Sequence, residues 1–326
     1  MSDRLKAAGL TVAIVVVVVG AAAVLPMVQG QSTGTPEQPA ELDTSQYEPD
    51  NALIEPGPES GQIEMSADAE PKTIVFDVGH ENDIERSEIA PLVDTLVANG
   101  HTVRFFDPRA DPRVDLNTSL SKADAFVTVN PRSRFSASQR RGLRNFTDSG
   151  GRLMVMMDPA ESTASFGFFG FGGGSQSSSS ATGVTSEYGV STGPSELFNI
   201  SADGRHYSRI ATTGAGGTLG EGVDRVVMDD AVPVAVGGDA TVAVRTAGEV
   251  TIESNRRSGR YPVAATNGNV SVIGDATFLQ PDDAYVADNE VLIGNVADFL
   301  VSGEKIDENA PVKDSDGEGR RGPPRR

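Results

Sequence analysis

The chain of 326 residues contains no cysteine. Disulfide bonds, thiolate metal sites and cysteine nucleophiles are therefore excluded together, because each of them needs a cysteine sulfur. The same absence leaves the redox compartment of the protein open, since a chain without cysteine folds in either environment.

Lysine is also scarce, and it occurs only at positions 6, 72, 122, 305 and 313. Acidic residues number 46 against 27 basic residues, which gives a net charge of −19. Nucleic acid and anionic lipid are poor partners for such a surface as a whole. An acidic surface with few lysines is typical of proteins that stay soluble in concentrated salt, so we predict a halophilic source.

The segment 123–158 predicts the core of the fold. Residues 126–129 and 153–157 are short and nearly continuous apolar runs, as expected of strands buried on both faces of a parallel sheet. Between them, Ser136 and Gln139 have the spacing of a capping box. A further strand, helix and strand precede this unit, so the order of elements predicts an α/β fold with a doubly wound, mostly parallel sheet.

The amino-terminal residues predict a membrane anchor. Residues 7–28 carry no charged side chain. At about 1.5 Å per residue, a helix of this length crosses a hydrocarbon core of about 30 Å. Basic residues precede the segment and acidic residues follow it, so residues 1–6 are predicted to be a cytoplasmic stub and the domain extracellular. The alternative is a signal peptide cleaved near the alanines at 21–23, which would give a secreted protein.

The rest of the chain divides by composition. Residues 29–71 are rich in Pro, Glu, Gln and Ser, which predicts a disordered acidic tether. The folded domain is predicted over residues 72–303, with a β-rich C-terminal part and a type I′ hairpin turn at Asn267-Gly268. Within it, residues 165–183 form a low-complexity Gly/Ser/Phe loop, interpreted as a solvent-facing insertion rather than a lid or a membrane contact. Residues 304–326 are predicted to be a disordered tail.

Polar residues follow several of the predicted strands, and six of them are ligand-binding candidates: Asp77, His80, Asn82, Asn130, Asp158 and Asp275. The carboxyl ends of parallel strands meet at one edge, where ligands of open α/β sheets bind. His80 is either a ligand-binding or proton-transfer group or a hydrogen-bonded turn residue. The second interpretation is favoured, because a lone histidine has no partner at a motif spacing.

Common catalytic motifs are missing from the sequence. No predicted strand runs into the Gly-x-Ser-x-Gly elbow of serine hydrolases. The glycine-rich run 214–220 lacks the Lys-Ser/Thr of a phosphate-binding loop. Asp77, His80 and Asp158 have the donor atoms for a metal ion, but the abundance of acidic residues favours chance proximity. No catalytic residue, metal or cofactor is therefore predicted.

Five arginines in the segment 132–144 form a local basic patch on this acidic chain. The first interpretation is pairing with surface carboxylates, and the second is docking of an acidic partner. Asn-x-Ser/Thr sequons begin at Asn117, Asn145, Asn199 and Asn269, which is compatible with an extracellular location.

Several short patterns occur in an order that resembles a known family: Asp77-Val-Gly-His80-Glu-Asn82, Gly100-His101-Thr-Val103, Phe135-Ser136 to Gly150-Gly151 with Asp158, and Gly274-Asp275-Ala-Thr-Phe278-Leu279 to Asp288-Asn289 with Asn295. The family is domain of unknown function 4350, of haloarchaeal type. Its members are membrane-anchored, class I glutamine-amidotransferase-like domains related to the auxiliary component of gliding-motility ABC transporters. The resemblance implies a flavodoxin-like or amidotransferase-like core.

The resemblance also carries a departure. Class I amidotransferases attack with a cysteine, and without that thiolate no glutaminyl thioester forms, so amidotransferase activity is not expected. Relatives are associated with ABC transporters or AAA-ATPase gene clusters, which implies a partner in a membrane complex. Our first hypothesis is a non-enzymatic binding or scaffold domain, of which an accessory protein of such a complex is one case. The alternative is a hydrolase that uses Asp77, His80 and Asp158, with or without a metal ion.

Overall fold

The structure, a computed structural model, describes residues 61–159, 181–193, 195–199 and 208–306. All of them belong to the compact unit Pro56–Arg326. The predicted cytoplasmic stub and membrane anchor lie outside the described residues, as do most of the low-complexity loop and of the tail. Within the part of the chain that is described, no helix has the length and apolar character needed to cross a membrane.

Six helices occur in the described residues, and we number them in chain order: α1 Ala90–Ala98, α2 Leu116–Ser121, α3 Ala137–Asp148, α4 Thr182–Thr185, α5 Gly217–Gly220 and α6 Asn289–Val301. Short 3₁₀ turns are formed by Ser186–Tyr188 and Thr277–Leu279. The predicted capping box of α3 is confirmed, since the Ser136 and Gln139 side chains each bond the other's backbone N–H.

Fourteen strands are described: β1 Thr73–Asp77, β2 Thr102–Phe106, β3 Ala125–Val129, β4 Arg152–Met156, β5 Val190–Thr192, β6 Leu197–Phe198, β7 Ile210–Gly214, β8 Val226–Met228, β9 Val234–Val236, β10 Thr241–Thr246, β11 Val250–Ile252, β12 Ser258–Gly259, β13 Pro262–Asn267 and β14 Val270–Ile273. The sequence from 184 to 197 predicts one helix or two short helices, but the described part of this segment contains the end of α4, a 3₁₀ turn, β5 and the start of β6.

Nine strands form one sheet in the order β2-β1-β3-β4-β14-β13-β10-β7-β8. The first five are mutually parallel, and from β14 onwards every neighbouring pair is antiparallel. The α/β class with a large central sheet is therefore confirmed. The parallel arrangement covers one half of the sheet, because the β13–β14 hairpin lies at the middle of the sheet and reverses the strand direction there.

The predicted hairpin is present, but its turn lies one residue later than expected. Asn267 pairs with Val270, so the two loop residues are Gly268 and Asn269. Gly268 has φ +55°, and Asn269 is not among the residues with positive φ. A glycine with positive φ at the first loop position is typical of a type II′ turn, so the predicted type I′ turn is wrong.

Side chains that alternate along the parallel strands build two cores, one on each face of the sheet. Phe76, Val127 and Met156 pack on one face together with α1 and α6. Phe126 and Val155 pack on the other face together with α2 and α3. Both faces are therefore covered, as continuous apolar runs predict for parallel strands. This doubly wound arrangement leaves the two ends of the strands as the places open to a ligand.

The folded part begins before the predicted boundary at residue 72. Residues 61–71 form an extended segment, which we call the strap, and its alternate side chains pack on the core beside α6. Asp298 of α6 is buried and accepts hydrogen bonds from the backbone N–H groups of Ser66 and Ala67 and from the Ser66 hydroxyl. Gly294 also lets the strap approach closely, because a Cβ there would lie 2.2 Å from the Glu64 carbonyl oxygen.

Replacing Asp298 by alanine is expected to release the strap, because the Ser66 and Ala67 donors lose their acceptor. We expect the free energy of unfolding to fall by about 2 kcal/mol, the range for charge-assisted hydrogen bonds. Limited proteolysis should then cut within residues 61–71 before it cuts the domain. Asp68→Ala is the matched control, since Asp68 is exposed on the strap; equal protease resistance of the two variants would contradict the proposed role of Asp298.

The chain after α6 also packs further than predicted. Lys305 donates from Nζ to the carbonyl oxygens of Ser121 and Ala123, at 2.9 and 2.5 Å. The Ile306 N–H donates to the Ser149 carbonyl oxygen at 2.8 Å. Residues 304–306 are therefore docked at the end of α2, where a lysine is favourable for the free carbonyl groups of a helix C-terminus.

Candidate functional site

Four of the six candidate residues follow neighbouring parallel strands. Asp77 ends β1, Asn130 follows β3, Asp158 follows β4, and Asp275 follows β14. These strands occupy consecutive positions in the sheet. The structure therefore places all four residues along one border, which we call the carboxyl edge, as the sequence predicted.

The first bonded group at this edge is centred on Asp77, which is 2% exposed. Its carboxylate accepts from His80 Nδ1 at 2.8 Å and from the Thr128 hydroxyl at 2.8 Å. It also accepts from the Gly79 N–H at 3.0 Å. Asn82 completes the group, because its amide donates to Thr128 Oγ1 and to the Val129 carbonyl oxygen. The turn after β1 is thus bonded across to β3.

His80 is held through its ring and through its backbone. Its ring stacks on Phe135, with 3.9 Å between ring centroids. Its carbonyl oxygen accepts from the N–H groups of Arg132 and Ser133. Because the Asp77 carboxylate only accepts, Nδ1 carries the proton that it shares with Asp77. These contacts agree with the favoured interpretation of His80 as a hydrogen-bonded turn residue.

The second bonded group joins Asn130 to Asp158. The Asn130 amide donates to Asp158 Oδ2 at 2.5 Å and accepts from the Asp158 N–H at 2.6 Å. The other carboxyl oxygen of Asp158 accepts from the Ala276 N–H at 2.7 Å. Asn130 has φ +45°, a conformation that asparagine tolerates better than most residues. This clamp connects β3, β4 and the loop after β14.

Asp275 lies next to this clamp and is fully buried. Its Oδ1 accepts from the Thr277 N–H at 3.0 Å and from the Thr277 hydroxyl at 2.7 Å. Its Oδ2 is buried and has no hydrogen-bond partner among the described residues. Burial raises the pKa of Asp275 well above its usual range, and the charge of Asp158 raises it further, although Thr277 and the Phe278 N–H oppose the shift. Burial also raises the pKa of Asp158, although the bonds from Asn130 and Ala276 oppose the shift.

Three acidic residues that the sequence did not single out lie near this group. They are Glu196, Asp230 and Glu253, and they come from loops beside the antiparallel half of the sheet. Burial, together with the charges of Asp230 and Glu253, raises the pKa of Glu196 to about 6. The position of Asp230 shortly after β8 was the one available signal, but the order of β8 in the sheet could not be read from the sequence.

The hydrolase alternative required Asp77, His80 and Asp158 to act together. His80 bonds Asp77, while Asp158 bonds Asn130 and Ala276, so the three residues belong to separate bonded groups. In the described parts of the chain, no three His, Asp or Glu side chains are grouped closely enough to hold a metal ion. The structure thus does not assemble the metal site that this alternative considered.

The basic patch of segment 132–144 is largely paired. Arg140 and Arg144 both contact the Glu187 carboxylate, at 3.4 and 2.8 Å. Arg132 bonds Asp83 in the turn after β1. The first interpretation of the patch, pairing with surface carboxylates, is therefore confirmed for these three arginines. Their net attraction for an acidic partner is reduced accordingly.

No family model matches the chain, and no curated protein matches it. Among solved structures, the chain is similar to the mmIFT52 N-terminal domain, with 15% sequence identity and a TM-score of 0.54. That match covers 71% of this chain and 98% of the other. A putative ThuA-like protein from Parabacteroides merdae ATCC 43184 gives 12% identity and a TM-score of 0.44, over 72% of this chain and 91% of the other. At this identity, the similarity to the mmIFT52 domain shows a shared α/β fold and nothing further.

Proposed function

We propose that the chain is a non-enzymatic binding or scaffold domain whose ligand or partner occupies the carboxyl edge. In this proposal the domain has the flavodoxin-like or amidotransferase-like core expected from the sequence resemblance. It is held outside the cell by the predicted membrane anchor and serves as an accessory to an ABC-transporter or AAA-ATPase-linked membrane complex. The single observation that carries the proposal is the buried, unpartnered Oδ2 of Asp275 beside Asp158.

A buried carboxyl without a partner destabilises the fold. An unpaired buried polar atom costs about 1–3 kcal/mol, and a second carboxyl beside it adds repulsion. Proteins retain such destabilising groups mainly where a ligand or a reaction uses them. A pair of carboxyls with raised pKa values at the carboxyl edge therefore favours a functional site. Asp275 meets this description with Asp158 as its neighbouring carboxyl, whereas both oxygens of Asp77 and both oxygens of Asp158 accept hydrogen bonds.

The position of the pair along the edge supports the same site. In this doubly wound sheet β2 lies on one side of β1 and β3 lies on the other, so the strand order reverses between β1 and β3. The crevice at that reversal is the usual ligand site. Here the turn with His80 and Asn82 fills that crevice and bonds across it to Thr128. The gap between β4 and β14, where Asp158 and Asp275 lie, is two positions further along the edge, beyond the β3–β4 position that the Asn130–Asp158 clamp bridges. We therefore assign the ligand to this gap.

Site-specific photo-cross-linking in cells of the source organism tests the proposal. A cross-linking residue at Arg134, which is exposed in the loop after β3, is expected to capture a defined partner or ligand. The matched control is the same residue at Asp148, which is exposed at the end of α3 near the opposite border of the sheet. Equal adducts at the two positions, or none at Arg134, would contradict binding at the carboxyl edge.

The hydrolase alternative is separated by a second measurement. The purified domain is expected to show no turnover with p-nitrophenyl acetate or p-nitrophenyl phosphate, because His80 is bonded and stacked as part of the fold. Turnover that disappears in a folded His80→Gln variant would overturn the non-enzymatic proposal, since a general base contributes about a hundredfold or more to the rate.

A further inference from the structure

Four segments of the chain meet at the acidic end of the carboxyl edge. The Leu197 N–H donates to the Ala231 carbonyl oxygen at 2.7 Å, and the Glu253 N–H donates to the Glu196 carbonyl oxygen at 3.0 Å. The Asp229 N–H donates to the Thr277 hydroxyl at 3.1 Å. These bonds fix the loops that carry Glu196, Asp230 and Glu253 against the loop that carries Asp275. We call these carboxylates, together with Asp158, the acidic edge.

In the described part of the molecule, Glu196, Asp230 and Glu253 form no ion pair with an arginine or lysine. The nearby Arg209 contacts Asp229 and Asp283 instead. Burial, and then the charges of Asp230 and Glu253, raise the pKa of Glu196 to about 6, as expected where like charges lie close together.

Asp275 gives an independent indication of a ligand. Its Oδ1 is held by Thr277, and Oδ2 remains without a donor among the described residues although Asp275 is completely buried. After burial, the charge of Asp158 is the next cause that raises the pKa of Asp275. A cation bound at Asp158, which is partly exposed, would therefore reduce the repulsion between the two carboxyls.

Resting on the proposed binding function, we infer that the acidic edge binds an organic cation, specifically a guanidinium group such as an arginine side chain of a partner. A guanidinium carries five N–H donors in a planar fork, and it bonds to carboxylates in pairs. A bare metal ion fits the site less well. It requires ligand oxygens at about 2.0–2.6 Å, and the described carboxylates form no such group of three.

Titration of the folded chain with N-acetyl-arginine methylamide and with its neutral isostere, N-acetyl-citrulline methylamide, tests the inference by isothermal calorimetry or NMR. The arginine compound is expected to bind at least about tenfold more tightly, because charge-assisted hydrogen bonds are about twice as strong as neutral ones. NMR shifts should fall on residues of the loops 229–231 and 275–277. Equal binding of the two compounds, or no binding of either, would overturn the inference.

Matched variants separate a built site from the general negative charge of the surface. The double variant Glu196→Gln/Asp230→Asn is expected to bind the arginine compound at least about tenfold more weakly. The double variant Asp94→Asn/Asp148→Asn removes the same charge from exposed positions on α1 and α3, and it should bind like the unmodified chain. Equal weakening in both would show adventitious attraction only and would refute the site. Cross-linking at Arg134 together with no arginine binding would reject the ligand class and keep the proposed function.

Discussion

Replacing Asn130 by aspartate is expected to lower the free energy of unfolding by about 3 kcal/mol near neutral pH, the range for disrupting a buried charged pair. The Asn130 amide donates to Asp158 and accepts from its N–H. An aspartate at this position would remove the donor and bring a third carboxyl to a site where burial already raises the pKa of Asp158 and of Asp275. The measurement is urea denaturation followed by circular dichroism, since the chain has no tryptophan.

The effect of Asn130→Asp should disappear as the pH falls to about 4, the ordinary pKa of an aspartate. Once protonated, the introduced carboxyl can again donate to Asp158, so the bond is restored. Asn255→Asp is the matched control: Asn255 is exposed, and its Oδ1 accepts from the Arg257 N–H, which an aspartate can do equally well. A loss of stability in Asn130→Asp that is the same at low and neutral pH would rule out repulsion as its cause.

Asp275→Asn is expected to reduce the cost of Asn130→Asp, because it removes one of the three carboxyls. The folded state holds the Asp275 proton more tightly than the unfolded chain does, since burial raises its pKa. That contribution to stability is complete below the unfolded pKa of about 3.9 and is lost as the pH rises through the folded pKa. An amide cannot ionise, so the free energy of unfolding of Asp275→Asn should rise relative to that of the unmodified chain as the pH rises. A double-mutant cycle measures the coupling.

The sequence predicted the parallel half of the domain because its signals are local. Residues 153–157 are apolar throughout, and such a run indicates a strand buried on both faces even when its neighbouring strands are unknown. Asn130 and Asp158 come directly after such runs, so their shared edge followed from the geometry of parallel strands. The hairpin was recognised by its glycine. Its turn was misplaced by one residue, because both Asn267-Gly268 and Gly268-Asn269 are acceptable turn pairs.

The remainder depended on distant contacts that leave no local pattern. Glu196 and Asp230 are separated along the chain, and their loops meet where the Leu197 N–H bonds the Ala231 carbonyl oxygen. The pairing of β6 with β11 brings Glu253 to the same place. The strap has the composition of a polar tether because its apolar residues alternate with exposed ones. Docking of the strap on the core needs Asp298, which lies far along the chain. Local secondary-structure propensity carries no information on such pairings, since Ser66 and Asp298 are 232 residues apart.

His80 shows how one residue can satisfy a functional pattern and still serve the fold. A histidine bonded to a buried aspartate is the arrangement that orients a general base. Here the same bond, with the Phe135 stack, closes the crevice between β1 and β3 where a ligand would otherwise lie. The consequence is a division of the edge: at the β1–β3 end both oxygens of Asp77 accept hydrogen bonds, and the β4–β14 end keeps the unsatisfied carboxyl.

Asp77→Ala tests this division, and we expect it to lower the free energy of unfolding by about 3 kcal/mol or more. The substitution leaves the His80 ring, the Thr128 hydroxyl and the Gly79 N–H without an acceptor in a buried place. Because those three groups hold the turn on β3, the ¹⁵N resonances of the His80 ring should also lose the signature of a protonated Nδ1. Asp77→Asn is the matched variant: its Oδ1 can still accept, so it should lose less stability. If instead Asp77→Ala kept its stability and abolished partner cross-linking at Arg134, the β1–β3 end would be the binding site and our assignment of the ligand to the β4–β14 gap would be wrong.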